Sequence, residues 1–336
     1  MKRLLIILTF LPISFLVNGQ ENQFDNLINE GITLHDNGEF NKAIEKYNEA
    51  LKIQPNSSLA YYEMSYSYLA LQDYENAIKY SKMVVDNKNG HELHSYIVYG
   101  TALDMLGKTK KSIKVYEAAL KDYDHYLLHY NHAISCFNIG EIDKAYESAI
   151  NAILNNSSHA SSHLLLSKIM EKQGSRIKTV LPLYFFLLIE PNSARSQSVY
   201  EMLISKLDYG VKKTSEKNID VSIPFNTSQD SDFGAAEMMI SLTKASNFSE
   251  ENANKTEMEL FAENNESIFS VLGELKKDNK GFWWEFYVPF FYDIVQNNHT
   301  KAYSIYISQS SGKQEVYDWV ETHREELDNF LNWINN

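Results

Sequence analysis

The sequence predicts an all-α protein: an array of helical hairpins followed by a helical C-terminal domain. Small residues return at intervals of 33 to 35 positions, at Gly31, Ser65, Gly100, Ala133 and Ser167. A turn residue, mostly glycine, follows each of them seven positions later, at Gly38, Gln72, Gly107, Gly140 and Gly174. Small side chains let two antiparallel helices approach closely, and glycine readily ends the first helix. The constant interval therefore indicates repeated hairpins.

The front of the chain has the pattern of a secretory signal peptide over residues 1–19. Lys2 and Arg3 give a positive start, an apolar run follows over 4–17, and Gly19 offers a small residue at a cleavage point. The apolar run is shorter than the roughly 20 residues that a membrane-spanning helix needs. We therefore expect an exported mature chain, periplasmic or extracellular, that begins at Gln20 and has no transmembrane segment.

The repeat array is expected over 20–209. Its five units begin near Phe24, Ser58, Leu93, Tyr126 and Ala160, and the first unit carries the pattern most completely in Gly31, Gly38, Ala43, Tyr47, Ala50 and Pro55. The period and this Gly/Ala pattern resemble the tetratricopeptide repeat family over about residues 24–193. The resemblance implies stacked hairpins whose first helices line a concave groove for a protein or peptide partner.

The same resemblance assigns groove residues to fixed positions of the first helices. They include Ile28, Tyr62, Tyr66, Leu69, Ile97, Met105, Tyr130 and Phe137. The lysine with which some family members grip a terminal carboxylate is missing at the corresponding positions, so that activity is not carried over. An apolar, aromatic groove suits an extended or helical apolar segment. A second possibility stays open, in which the C-terminal domain of the chain itself fills the groove.

The array is predicted to end irregularly. Pro182 falls inside the second helix of the fifth repeat, where proline removes a backbone hydrogen bond, so we expect a distorted hairpin. Residues 194–207 are expected to form a closing helix that covers the last apolar edge. The polar stretch 210–231 has the composition of a linker with one short extended piece. The domain boundary is placed there.

The C-terminal domain, 232–336, is predicted to be helical around an aromatic core. Helical spacing of apolar residues marks 233–244, 258–275 and 313–334. In its centre, eight of the eleven residues from 282 to 292 are aromatic. We interpret this segment as a buried helix, because a helix that is aromatic all round must bury every side. The alternative is a glycan-binding envelope protein in which Trp283, Trp284 and Tyr287 stack on sugar rings.

Charge and motifs exclude several functions. The formal net charge of −13 argues against nucleic acid, which attracts basic surfaces. His125, His129 and His132 have helical spacing suited to a metal, but supporting carboxylates are not evident, so we predict no metal site. The only cysteine, Cys136, cannot form an internal disulfide and is assigned to the core.

No glycine-rich phosphate loop and no hydrolase or zinc-protease motif occurs in the chain. We therefore predict a protein without catalytic residues or cofactors. The function that the sequence favours is that of an exported scaffold or adaptor, which binds a protein or peptide and acts in cell-envelope assembly.

Overall fold

A computed structural model describes residues 14–215, 218–222 and 231–335. The described chain is helical almost throughout, which confirms the all-α prediction. It forms two compact units, Met1–Glu141 and Ile142–Asn336. None of the helices in the described ranges combines the length and the apolar character needed to cross a membrane. Most of the predicted signal peptide, residues 1–13, lies outside the described part.

The first unit consists of helical hairpins. Its helices are α1 (Ser14–Asp36), α2 (Phe40–Ile53), α3 (Ser58–Ala70), α4 (Tyr74–Asn87), α5 (Glu92–Met105), α6 (Thr109–Ala119) and α7 (Tyr126–Asn138). α1 pairs with α2, α3 with α4, and α5 with α6. The first helices also contact one another, α1 with α3, α3 with α5 and α5 with α7. They therefore form the inner row of the stack, and we call the surface of α1, α3, α5 and α7 the first-helix face.

The small residues act as the repeat pattern predicts. A Cβ atom at Gly31 would lie 2.3 Å from Cε1 of Tyr47, and one at Gly100 would lie 2.3 Å from Cζ of Tyr116. Each tyrosine ring of a second helix thus packs directly on the glycine backbone of the first. Gly38 has a φ of +78°, a left-handed conformation that favours glycine and ends α1.

The second unit continues the hairpins and adds the C-terminal helices. Its helices are α8 (Ile142–Asn155), α9 (Ala160–Gln173), α10 (Arg176–Ile189), α11 (Ser196–Asp208), α12 (Gly234–Ser246), α13 (Glu257–Leu275), α14 (Val288–Gln296), α15 (Thr300–Ile307), α16 (Gln314–Thr322) and α17 (Arg324–Ile334). A π-helical segment, Trp283–Tyr287, leads into α14. The predicted closing helix is found as α11, and the predicted helix over 313–334 is divided into α16 and α17 at His323.

The distortion expected at Pro182 is not found, because α10 runs unbroken from Arg176 to Ile189. α10 packs against α9, α11, α12 and α15, and nearly every side chain from Arg176 to Leu188 is buried. Burial of each large apolar side chain contributes roughly 1.5–3 kcal/mol. This packing outweighs the local cost of the proline and corrects the prediction of an irregular hairpin.

The predicted linker lies inside the second unit. Within it, β1 (Val211–Lys213) and β2 (Ile219–Val221) form a two-stranded antiparallel ribbon, with Lys212 opposite Asp220. The ribbon contacts α12. The boundary between the compact units falls at Glu141, whereas the predicted domain boundary falls at 210–231, so the last repeat helices share a unit with the C-terminal helices.

Candidate functional site

The first-helix face carries most of the predicted groove residues at its surface. Tyr66 and Met105 are 45% and 61% exposed. The half-buried members are Tyr62, Leu69, Ile97, Tyr130 and Phe137. Ile28 differs from them, because it is 3% exposed and belongs to the core between α1 and α2. The register of α1 turns this position inward, so Ile28 has no surface to offer a partner.

The half-buried members are anchored by the core beneath them. Tyr62 and Leu69 pack against Ala77, Val98 and Ala102, which come from α4 and α5. Small residues at these three positions leave room for the larger side chains above them. The apolar part of the first-helix face is therefore an extension of the core rather than a set of isolated side chains.

Aromatic rings form a row along this face. His35 stacks on Tyr66 with 4.7 Å between ring centroids, Tyr66 lies 6.3 Å from Tyr62, and Tyr62 lies 5.9 Å from His91. The planes in each pair are within 16° of parallel. His94 also approaches Tyr62, at 5.9 Å. We call His35, Tyr66, Tyr62, His91 and His94 the ring row.

His91 and His94 were not named from the sequence: His91 lies before the third repeat, whereas His94 occupies the second position of that repeat, a groove position that the pattern implies. His91 precedes α5 with a φ of +68°, and His94 lies in the first turn of that helix. Their place beside Tyr62 depends on the stacking of the third repeat on the second. In the sequence, the signal that could have identified these two residues is a pair of histidines at the start of a first helix.

Two histidines of this region, His35 and His125, have lowered pKa values. Burial lowers the pKa of His35, and its Nδ1 lies 2.7 Å from Oγ of Ser67. Burial also lowers the pKa of His125, and the neighbouring His94 and His129 lower it further. Burial raises the pKa of Tyr62 to about 12. At neutral pH these shifts keep His35, His125 and Tyr62 uncharged.

Glu63 is the one strongly perturbed acid beside the ring row. It precedes Tyr66 by three positions, so both lie on one side of α3. Burial, together with the nearby Asp36, raises the pKa of Glu63 to about 7. Among the described residues, no hydrogen bond or ion pair to its carboxyl group is found. Glu63 is thus a half-buried acid whose oxygens remain available to a donor.

Charge is divided between the two helix rows of the first unit. α2, α4 and α6 carry eight lysines, whereas α1, α3, α5 and α7 carry no lysine or arginine. These four helices carry the carboxylates Glu21, Asp25, Glu30, Asp36, Glu63, Glu92 and Asp104. The helices that line the first-helix face are therefore acidic, while the cations lie on the other row and its turns.

The aromatic segment of the second unit is buried. Trp283, Trp284 and Tyr287 are 5%, 3% and 0% exposed. Nε1 of Trp283 donates a hydrogen bond to the Tyr146 hydroxyl at 2.8 Å, and Trp284 stacks on Phe233. These contacts agree with the buried-helix interpretation, and the exposed tryptophans that a sugar platform needs are not found in this segment.

His163 completes this core. Its Nδ1 accepts a hydrogen bond from the Tyr287 hydroxyl at 2.6 Å, and its Nε2 donates one to the Ser157 carbonyl oxygen at 2.9 Å. Burial lowers the pKa of His163 to about 4. Both ring nitrogens are thus used for packing a neutral imidazole, which gives this histidine a structural role.

The histidines considered for a metal lie in different environments. His129 pairs with Asp124 at 2.8 Å, whereas His132 is buried with Nε2 3.6 Å from the sulfur of Cys136. Over the ranges the structure describes, no group of three or more His, Cys, Asp or Glu side chains is arranged to hold a metal ion. Cys136 is fully buried, in agreement with its assignment to the core.

A cavity of about 300 Å³ lies between α11, α12 and α13 in the second unit. Its wall is largely apolar, with Ile204, Leu260 and Phe261 among the lining residues. Its charged groups pair with each other, Lys244 with Asp208 at 2.6 Å and Lys313 with Glu257. Because these charged groups are paired and the rest of the wall is apolar, the cavity suits packing or ligand contact rather than acid–base chemistry.

The fold and the first-helix face define the class of this protein, which is an all-α helical-hairpin solenoid. Residues 31–72 match the family described as TPR repeat, and residues 59–88 match the tetratricopeptide repeat. The first repeats of this chain are therefore tetratricopeptide repeats, which confirms the resemblance seen in the sequence.

Known proteins are similar to parts of this chain. Tetratricopeptide repeat protein 33 of Homo sapiens is 30% identical over 108 residues, which are 32% of this chain and 41% of that protein. The chain thus spans less than half the length of this curated relative. TTC0263, a thermophilic TPR protein of Thermus thermophilus, is 20% identical with a TM-score of 0.46, over 55% of this chain and 98% of its own.

A further solved structure is YrrB, described as a TPR protein with an unusual peptide-binding site. It is 19% identical, with a TM-score of 0.40 over 53% of this chain and 93% of its own.

Proposed function

We propose that this protein is an exported, non-catalytic adaptor whose first-helix face binds a protein or peptide partner. The observation that carries the proposal is the ring row, in which the exposed Tyr66 lies between His35 and Tyr62. Met105 adds a second exposed apolar side chain on α5. Tyrosine offers a large contact area together with a hydroxyl group for hydrogen bonds, and methionine adapts to irregular partners. The family to which the first repeats belong is consistent with this role.

The proposal also places the protein outside the cytoplasm, in assembly at the cell envelope. The support is the charged start, apolar run and small residue at Gly19 in the sequence. Mass spectrometry of the exported fraction of the native host is expected to find a chain that begins at Gln20. An uncleaved chain confined to the cytoplasm would contradict the export part and leave the binding part untouched.

Binding is tested with a synthetic pool of random twelve-residue peptides, offered to the immobilised protein and read by mass spectrometry. We expect the wild type to retain a reproducible subset. Tyr66→Ala combined with Met105→Ala is expected to lose most of that subset, because truncating central aromatic contacts typically costs more than about 1 kcal/mol each.

The matched control is Tyr317→Ala, which removes a tyrosine that is 48% exposed on α16. This variant is expected to retain the wild-type subset. If the double variant on α3 and α5 retains the same peptides as the wild type, the first-helix face is not the binding surface.

A further inference from the structure

We infer that the first-helix face takes a basic partner, a peptide segment that carries lysine or arginine, and releases it as the pH falls. The inference rests on the proposed function, since it names the chemistry of the partner for the same surface. Nucleic acid and acidic peptides are excluded by the same charges.

Charge complementarity is the first step. The helices of this face carry seven carboxylates and no lysine or arginine, whereas the lysines of α2, α4 and α6 lie on the other row. Three of the seven already accept donors: Glu30 from Lys46, Glu92 from the Gly90 amide, and Asp104 from Ser112 and Ser135. A basic segment entering along the face would meet the remaining carboxylates without crossing a row of cations. Complementary potentials of this kind steer association and select against like-charged partners.

The second step is the chemistry of the ring row. The rings of His35, Tyr66, Tyr62 and His91 are nearly parallel, with neighbouring centroids 4.7 to 6.3 Å apart. Lysine and, more often, arginine bind over tyrosine rings within about 6 Å of the centroid. Arginine also stacks its planar guanidinium group on aromatic faces. The exposed ring of Tyr66 offers such a face next to an acid.

Glu63 supplies that acid. It lies beside Tyr62 and three positions before Tyr66, and no described residue donates a hydrogen bond to its carboxyl group. An incoming ammonium or guanidinium group would provide the missing donors and favour the ionised carboxylate. Hydrogen bonds to charged groups are stronger than neutral ones, so this contact favours a cationic partner over a neutral one.

The release at low pH follows from the groups that surround Glu63. α1 contributes His35 and Asp36, and α2 contributes Tyr47. α5 contributes His91 and His94, whose rings lie against Tyr62, the residue before Glu63. On α4, Lys79 lies over Tyr80, and Lys82 pairs with Asp86.

Two changes occur as the solution is acidified. The pKa of Glu63 is raised to about 7, so its carboxylate becomes neutral below that pH. His35 and His125, whose pKa values lie below the ordinary 6.5, gain positive charge only on further acidification. The first change removes an attraction for a cation and the second adds a repulsion. Both changes therefore weaken the binding of a basic partner.

The experiment uses the mature chain and the random twelve-residue peptide pool, loaded at about pH 8 and eluted at about pH 5.5, on either side of the histidine range. We expect the eluted peptides to contain about twice the lysine and arginine of the starting pool. A peptide from this fraction, resynthesised with a label, is expected to bind about tenfold more weakly at the lower pH.

The discriminating variant is Glu63→Gln, with Glu45→Gln on α2 as its matched control. Glu63→Gln is expected to weaken the basic peptide about tenfold at pH 8 and to flatten its pH dependence. Glu45→Gln is expected to leave both unchanged. Unchanged binding by Glu63→Gln would overturn the assignment of this acid.

The outcomes separate the two proposals. If peptides are retained through Tyr66 and Met105 but show no enrichment in lysine or arginine, the basic-partner inference fails and the binding function stands. If acidic peptides are enriched, the inference is reversed in sign and also fails. If no peptide depends on Tyr66 and Met105, both proposals fail together.

Discussion

Tyr47 and Tyr116 lie with their rings against the backbone of Gly31 and Gly100. In both cases the tyrosine is fully buried and the glycine is in the first helix of the same hairpin. The C-terminal region contains the same glycine–tyrosine contact, since a Cβ atom at Gly273 would lie 2.0 Å from Cδ2 of Tyr292. A missing side chain on one helix thus sets the distance to the next.

The substitution Gly31→Ala tests this contact. The added methyl group must displace the buried ring of Tyr47, and overpacking of this kind costs about 1–3 kcal/mol. Alanine regains about 1 kcal/mol through its helix propensity, so we expect the free energy of unfolding to fall by up to about 2 kcal/mol. Urea titration followed by circular dichroism in the far ultraviolet measures the change.

The control is Ser65→Ala, at the same position of the second repeat, where the residue already has a Cβ atom. Its hydroxyl donates to the Tyr62 carbonyl within the same helix, so a change below about 1 kcal/mol is expected. A rise of about 1 kcal/mol in the free energy of unfolding of Gly31→Ala would show that the ring can move aside at no cost.

The sequence predicted the roles of individual residues correctly where their contacts lie within one hairpin. Gly31 and Tyr47 follow from the repeat period, because the constraint acts within one hairpin. Ile28 was assigned to the groove by position alone, yet the register of α1 buries it. His91 joins the ring row only because the third repeat stacks on the second, and no local pattern encodes that contact.

At the scale of elements, α10 and α12 are joined by a buried ion pair. Nε of Arg176 donates to Glu237 at 2.8 Å, and its Nη atoms donate to the carbonyl oxygens of Tyr209 and Glu237 and to Ser241. The Ile177 amide donates to the other carboxylate oxygen of Glu237 at 2.6 Å. Both the guanidinium and the carboxylate group are thus paired, so the contact fixes the start of α10 against α12.

The substitution Glu237→Gln is expected to lower the free energy of unfolding of the second unit by about 3–5 kcal/mol, because it leaves the charge of Arg176 buried without its counter-ion and places an amide donor among donors. All four tryptophans lie in this unit, so urea titration followed by tryptophan fluorescence reports on it.

Glu171→Gln is the matched control, because it breaks the solvent-exposed ion pair with Lys206. Exposed pairs contribute about 0–1 kcal/mol, so this variant is expected to unfold close to the wild type. If Glu237→Gln costs no more than Glu171→Gln, the buried network does not hold α12 in place.

The elements of the second unit were predictable where apolar spacing was long and regular. α12 and α13 begin and end within about two residues of the expected ranges, which is ordinary precision for such boundaries. Pro182 gave the opposite result, because contacts of α10 with helices distant in the sequence outweigh a local signal. No glycine or proline marks the break between α16 and α17 at His323, so the sequence pattern did not predict it.

At the scale of the whole molecule, the compact units do not follow the repeat pattern. The last repeat helices belong with the C-terminal helices, and their contacts show why. The Tyr184 hydroxyl on α10 donates to Oδ1 of Asn265 on α13 at 2.5 Å. The Tyr303 hydroxyl on α15 donates to the Tyr184 carbonyl oxygen at 3.2 Å. Asn265 in turn donates to Ser304, so α10, α13 and α15 share one polar network inside an aromatic core.

These contacts predict the behaviour of a chain truncated after Tyr209. Tyr184 and its neighbours on α10 would lose α12, α13 and α15, which exposes apolar surface worth roughly 1.5–3 kcal/mol for each large side chain. We therefore expect residues 20–209 to associate on size-exclusion chromatography and to bind the dye ANS, whereas residues 20–336 elute as a discrete species without dye binding. A monomeric, dye-free 20–209 fragment would instead show that the repeat array folds independently, as the sequence pattern predicts. Either outcome decides whether the helices after Tyr209 are required to complete the last repeat.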